Sequence, residues 1–200
     1  MESTNNDLTF NVAQLMKEPV GATRKLEISA PDLQLSDGQE DNAGQPIVAT
    51  NVTGNAKVTR LSRDLLVQGD VVAQVRLQCS RCLDDITVPV EAALEEKFQP
   101  TIDVETGRPL RPATEEDDDT AFELTPNHEM DLTEPVRQAL LVSLPIKPLC
   151  RDDCKGLCPE CGANWNEGPC DCETETIDNR WQALRELQLE DLPAGDGNVN

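Results

Sequence analysis

Tyrosine is absent from this 200-residue chain, which holds only three Phe, two Trp and one His. Aromatic rings supply much of the buried area in ordinary cores, so the interior must be assembled from Val, Leu and Ile. With one histidine, multi-histidine metal sites are excluded. That residue, His128 in TPNHEMD, reads as an exposed polar group beside an acidic stretch. The chain has no phosphate-binding P-loop, no GxSxG elbow and no dinucleotide fingerprint, which removes the commonest enzyme signatures. No apolar run approaches the ~20 residues needed to span a bilayer, and MESTNNDLTF lacks the basic and apolar regions of an export signal. The expectation is a cytoplasmic protein without membrane contact.

Positive charge is scarce too. Lys and Arg number 17 against 38 Asp and Glu, for a net charge of −21 and a pI near 4.2. Proteins that grip nucleic acid over a broad face draw on an excess of Lys and Arg; bulk acidity favours a basic protein partner or solubility. Much of the acidity is local, since Pro112 to Glu134 carries nine Asp or Glu and no Lys or Arg. That run is read as a solvated loop over about 111–128.

Cysteine is what the chain has in quantity. Six of its eight cysteines fall between Leu149 and Cys172, and Cys79 and Cys82 form a CSRC far upstream. Thiolates two or three residues apart can grip one tetrahedral ion, because a short turn brings both sulfurs to it. A disulfide framework is the alternative, favoured only in an oxidising compartment. The eight divide into the pairs 79/82, 150/154, 158/161 and 170/172, enough for two four-thiolate sites. Cys158, Cys161, Cys170 and Cys172 form the more local set, with Gly156 and Gly162 permitting tight turns. Cys79 and Cys82 then join Cys150 and Cys154 across a long separation. Cys154 moving into the other set, or one pair remaining free, are alternatives that the spacing leaves open. A CSRC between two strands also differs from redox CxxC motifs, which open helices. One or two zinc ions are the default occupants, and an all-thiolate set does not exclude iron or an iron–sulfur cluster. Such a set leaves no open position for substrate, so no catalytic residues are assigned and a non-enzymatic protein is expected.

Periodicity places these pairs on an α+β fold. Asn11 caps a short helix over VAQLMKE, and RKLEIS (Arg24 to Ser29) alternates as a strand. Ser36 to Pro46 is a polar insert. Strands follow over Val52 to Leu61, Leu65 to Gln78 and, after CSRC, from Ile86 onward. Val71, Ala73, Val75, Leu77 and Cys79 share one face, as do Ile86, Val88, Val90, Ala92 and Leu94. This alternation predicts a mainly antiparallel sheet, with closure into a barrel as one option. Asp131-x-x-Glu134 has the form of a capping box ahead of a helix carrying Val136, Ala139, Leu140, Ser143 and Leu144. Pro145 and Pro148 stop that helix, and Asp178 caps a last one bearing Trp181, Leu184 and Leu187. The expected organisation is a β-rich body over 1–144, a cysteine-rich zinc-ribbon-like lobe with its terminal helix over 145–190, and a loose tail over 191–200.

QLMKEPVGATRKLEI, VRLQCSRCLDDITVPVEAALEEKF, MDLTEPVRQALLVSLPIKPLCRDDCKGLCPECGANWNE and DNRWQALREL together resemble the YceD family, the large ribosomal RNA subunit accumulation proteins. The resemblance covers most of the chain outside the polar insert, the acidic loop and the tail, and every cysteine of the pattern is present. It implies a bacterial or plastid factor needed for accumulation and processing of 23S rRNA, partnered by large-subunit rRNA or a pre-ribosomal particle. It implies no catalytic mechanism. Arg76, Arg81, Arg151 and Lys155 lie next to the cysteines and are the candidate RNA contacts; the competing role is to offset the negative charge of metal-bound thiolates. Two further readings stand beside this one: an acidic adaptor for a basic ribosomal protein, and a thiol redox sensor that releases metal when Cys79 and Cys82 are oxidised.

Overall fold

The structure, a computed structural model, describes residues 8–36, 46–110 and 121–172. It divides into two compact units, 1–154 and 155–200. The sequence places the division at 144/145. Residues 145–154 stay with the first unit because Cys150 and Cys154 meet Cys79 and Cys82 there.

In chain order the first unit comprises β1 (Thr9–Asn11), α1 (Ala13–Lys17), β2 (Thr23–Gln34), β3 (Val48–Arg60), β4 (Leu65–Gln78), β5 (Asp85–Gln99), β6 (Phe122–Glu123), β7 (Glu129–Asp131) and α2 (Thr133–Val142). Strands β2 to β6 form one sheet in sequential order, and β1 pairs with β7 in a small second sheet. Every pairing is antiparallel except that of β6, which lies parallel to β5. The sheet does not close into a barrel. Its edges are β2 and β6, and β6 offers only two residues for further pairing.

The alternation in β4 and β5 sends Val67, Val71, Ala73, Val75, Val90, Ala92 and Leu94 to one buried face, as a half-buried sheet requires. β3 starts earlier than Val52, and the reason is a bulge. Thr50 faces Gln74 but Thr53 faces Val72, so Asn51 and Val52 together oppose Ala73. Asn51 takes the left-handed conformation at φ 52°, and the extra residue resets the alternation so that Ala49 and Val52 are both wholly buried. A period of two cannot be followed through that slip. β2 likewise runs past Ser29 to Gln34, carrying Pro31 on an edge strand where a missing N–H is tolerated. β3 and β4 approach closely at two glycines: a Cβ on Gly54 would lie 2.4 Å from the Asp70 carbonyl oxygen, and one on Gly69 would lie 2.2 Å from that of Asn55.

Helix α1 contributes buried Leu15 and Met16, and α2 contributes Val136 and Leu140, to the core beneath the sheet. Ala139 and Leu144 are half-buried, whereas Ser143, the polar member of the expected stripe, caps the helix in solvent. Asn11 holds the start of α1 by accepting the Ala13 N–H at 3.1 Å. The capping box does not form. Asp131 accepts the Thr133 N–H at 2.8 Å, but the Glu134 carboxylate turns forward to Arg137 and Gln138. Arg137 also donates to the Leu35 carbonyl at 2.8 Å, fastening α2 to the end of β2.

The expected acidic loop over 111–128 is not all loop. Phe122 stacks on Phe98 with centroids 5.5 Å apart, and Leu124 is buried. Residues 111–120, most of the polar insert, the terminal helix after Asp178 and the tail lie outside the described residues. His128 is half-buried, not exposed: its φ is 59°, and its Nδ1 is buried without a hydrogen-bond partner among the described residues.

Candidate metal centres

The first centre is built on the β4–β5 hairpin. Leu77 is the last inward β4 residue before Cys79, so the alternation carries the Cys79 thiol to the buried side. The chain then turns back through Ser80 to Asp84. Cys79 N–H donates to the Asp84 carbonyl at 2.9 Å, and Leu83 N–H donates to the Cys79 carbonyl at 3.0 Å. Closing this turn forces Leu83 to φ 61°, a conformation that costs a side-chain-bearing residue ~1 kcal/mol. The segment after α2 docks on the turn: Ser80 N–H donates to the Pro148 carbonyl at 2.8 Å, and Cys150 N–H points at the Cys79 sulfur at 3.4 Å. Cys79, Cys82 and Cys154 are buried and Cys150 is exposed.

The second unit repeats this local geometry. Cys158 N–H donates to the Ala163 carbonyl at 2.8 Å, Gly162 N–H donates to the Cys158 carbonyl at 2.9 Å, and Gly162 sits at φ 73°. Glycine occupies here the left-handed position that Leu83 fills in the first unit. Cys170 and Cys172 return to this turn. The Trp165 indole N–H donates to the Cys170 sulfur at 3.4 Å, and Asn166 accepts the Lys155 N–H at 2.9 Å. The turn is further closed by an isolated bridge between Leu157 and Asn164.

Each unit thus gathers four sulfurs within 4.8 Å of one another: Cys79, Cys82, Cys150 and Cys154 in the first, Cys158, Cys161, Cys170 and Cys172 in the second. All eight thiols are free. In the first centre Cys82 and Cys150 are 3.6 Å apart and Cys79 and Cys154 3.9 Å. A disulfide needs ~2.05 Å, whereas four sulfurs ~2.3 Å from a tetrahedral ion stand ~3.8 Å apart. The spacing fits a metal ion and not a covalent bridge.

The electrostatics point the same way. Burial alone would push the Cys79 thiol up, but N–H groups of Cys82, Arg81 and Cys150 bring it down to about 6. Its neighbours move oppositely. Burial, with the Asp84 carboxylate and the adjacent thiols, pushes Cys82 up, and burial with the Cys154 thiol raises Cys150. In the second centre the Trp165 indole N–H and the Cys172 backbone lower Cys170 to about 6, while Cys161 and burial push Cys172 up to about 12. Packed thiols cannot all ionise against one another. A dication removes the conflict, and both centres can hold one.

Of the basic residues beside the cysteines, Arg81 is committed to the architecture: its Nη1 donates to the Cys154 carbonyl at 2.7 Å. Arg76 projects from the exposed face of β4, opposite to the face that carries Leu77. Arg151 is exposed, with Nε 3.7 Å from the Asp153 carboxylate, and exposed Lys155 belongs to the second unit. Sequence reasoning missed Trp165 and Leu83. Trp165 sits five positions before Cys170, a spacing with no metal-ligand meaning. Leu83 aligns with Gly162 only after CSRCL is laid over CPECG.

The profile described as large ribosomal RNA subunit accumulation protein YceD matches residues 67–188. The chain belongs to the YceD family. The matched stretch contains all eight cysteines, and so both centres. An uncharacterized protein of Mycobacterium tuberculosis is 36% identical over 131 residues, which are 66% of this chain and 59% of the relative's length. One from Mycobacterium leprae is 31% identical over 190 residues, covering 93% of this chain and 80% of its own. A shorter match, 35% identical over 60 residues, is to the chloroplastic large ribosomal RNA subunit accumulation protein YCED homolog 1 of Arabidopsis thaliana, covering 30% of this chain and 19% of that one. No solved structure matches. The chain spans 59% of the length of the first curated relatives that it matches.

Proposed function

We propose that this protein is a non-catalytic cytoplasmic factor that supports accumulation and processing of 23S rRNA in the large ribosomal subunit, with a zinc ion at each four-cysteine centre. The observation that carries the structural half is the pair of four-sulfur groups, each complete in itself. A four-thiolate ion has no vacant position for substrate or water, so its work is to fasten chain to chain. In the first centre Cys79 and Cys82 on the β4–β5 turn and Cys150 and Cys154 after α2 would hold it, joining those two segments; in the second Cys158, Cys161, Cys170 and Cys172 would hold it, closing a zinc-ribbon-like lobe. The ribosomal half rests on the family and on the chloroplastic relatives' names.

Zinc at such a centre supplies charge neutralisation and cross-linking. The chain's own groups do the rest. N–H groups of the first CxxC turn point at the Cys79 sulfur, and Trp165 holds Cys170. Arg81 ties Cys154 to the β4–β5 turn. Arg76, Arg151 and Lys155 remain the candidate contacts to rRNA.

The test is complementation of a strain lacking the endogenous family member. The intact chain restores the ratio of large- to small-subunit rRNA, and the C79S/C82S variant does not. Full restoration by that variant would end the role assigned to the first centre. A second reading, an adaptor for a basic ribosomal protein, is favoured by the net charge of −21. It predicts that a ribosomal protein stays bound after nuclease treatment, while direct rRNA binding predicts that the association is lost.

A further inference from the structure

The end of the sheet away from the cysteines carries a cleft that the metal centres do not use. β4 runs from Leu65 at this cleft to Gln78 beside the first centre, 14 residues, which at ~3.3 Å per residue sets the two roughly 40 Å apart. The cleft holds about 420 Å³, within the ~300–1,000 Å³ range of small-molecule sites. Three cations line it, Arg60, Arg63 and Lys97, in a chain with more than twice as many acidic as basic residues.

Its two carboxylates are already occupied. Asp64 pairs with Lys97 at 3.3 Å. Asp103 turns Oδ1 into its own loop, accepting the Glu105 N–H, the Thr106 N–H and the Thr106 hydroxyl at 3.1, 2.7 and 2.8 Å. Among the described residues neither Arg60 nor Arg63 makes an ion pair. Arg60 is held in place: its backbone pairs with Gly21 and Ala22, and its Nη1 donates to the Glu18 carbonyl. Arg63 stands exposed on the turn closed by Leu61 N–H to the Asp64 carbonyl at 2.8 Å. Apolar side chains share the lining: Val104 is half-buried and Leu110 exposed, while Met16 and Leu65 are buried.

Guanidinium groups whose charge no carboxylate meets suit a phosphate, which their planar forks bind with two parallel hydrogen bonds. The apolar side chains suit a flat group attached to that phosphate. We infer that this cleft binds a nucleoside phosphate, its phosphate between Arg60 and Arg63 and its base against Val104 and Leu110. Free nucleotide and a nucleotide within an RNA strand share this chemistry. The strand source deepens the ribosomal role proposed above and rests on it; the free-nucleotide source does not.

The test uses the full-length, metal-loaded chain titrated with AMP, adenosine, inorganic phosphate and a short oligoribonucleotide, read by amide NMR shifts at Arg63, Leu65 and Val104. AMP is expected to bind at least tenfold more tightly than adenosine or phosphate. R63E is expected to weaken it at least tenfold with an unchanged melting temperature, since Arg63 is exposed. Oligonucleotide binding that is lost in R63E but kept in R76E, with AMP silent, assigns the cleft to a strand. Silence of these amides towards both AMP and oligonucleotide, or affinities indifferent to R63E, would overturn the inference. An oligonucleotide held equally by R63E and wild type would remove the cleft while leaving the ribosomal role standing.

Discussion

Disabling the first centre should cost the first unit as much stability as truncating a large core side chain. Cys82 and Cys150 are 68 residues apart in sequence and 3.6 Å apart in space. Cross-linking a loop of that length removes chain entropy from the unfolded state worth about 4 kcal/mol. The second centre closes far shorter loops, for which the same reasoning gives roughly 3 kcal/mol, confined to the second unit. C79S/C82S should therefore lower the melting temperature of the first unit by roughly 10 °C, given ~2–4 °C per kcal/mol for a unit of this size. C158S/C161S should leave that transition within about 2 °C of wild type. Urea titration with near-ultraviolet and far-ultraviolet detection separates the two units, and a thiol-competing chelator should reproduce the variant's shift in wild type. An unaltered first transition in C79S/C82S, with chelator equally without effect, would refute the idea that this centre staples the body.

Three other outcomes follow from particular contacts. W165F removes the indole N–H that reaches the Cys170 sulfur at 3.4 Å; second-centre metal affinity, measured by chelator competition, should fall ~10-fold with the first centre unaffected. G69A drives a Cβ to 2.2 Å from the Asn55 carbonyl oxygen, so β3 and β4 must part locally, and chemical denaturation should show a loss of ~1–3 kcal/mol. Glu134 is held below the usual carboxylate range by its hydrogen bonds to Arg137 at 2.7 and 2.6 Å. A lowered folded-state value means this contribution is present above the unfolded carboxylate pKa of ~4.3 and lost as pH falls through the folded one. Acid titration of R137M should show a shallower loss of stability across that window than wild type; identical curves would remove the pair from the acid response.

Legibility followed the regularity of each signal. β4 was readable because its alternation runs unbroken from Val71 to Leu77. α2 was readable because Val136 and Leu140 recur at a helical spacing. β3 was truncated in the reading because the bulge at Asn51 hides its first turn of alternation. The two-residue β6 is too short to carry any period, and its place beside β5 comes from Phe122 stacking on Phe98, a contact between distant segments. The grouping of cysteines followed from pair spacing, because CxxC reports a turn that presents two sulfurs to one point. What surrounds the sulfurs did not follow. The Arg81 contact to the Cys154 carbonyl and the Trp165 contact to Cys170 depend on how turns dock, and turn docking leaves no periodic trace. Glu134 had the spacing of a capping residue and was claimed instead by Arg137, a stronger charged partner.

Metal content of the purified chain, counted by native mass spectrometry, tests the central claim most directly. The account predicts two zinc ions per wild-type chain, and one in each of C79S/C82S and C158S/C161S, because each centre supplies its own four sulfurs. A wild-type chain that carries at most one ion under metal-replete reducing conditions, or that loses all metal when either pair is replaced, would contradict it.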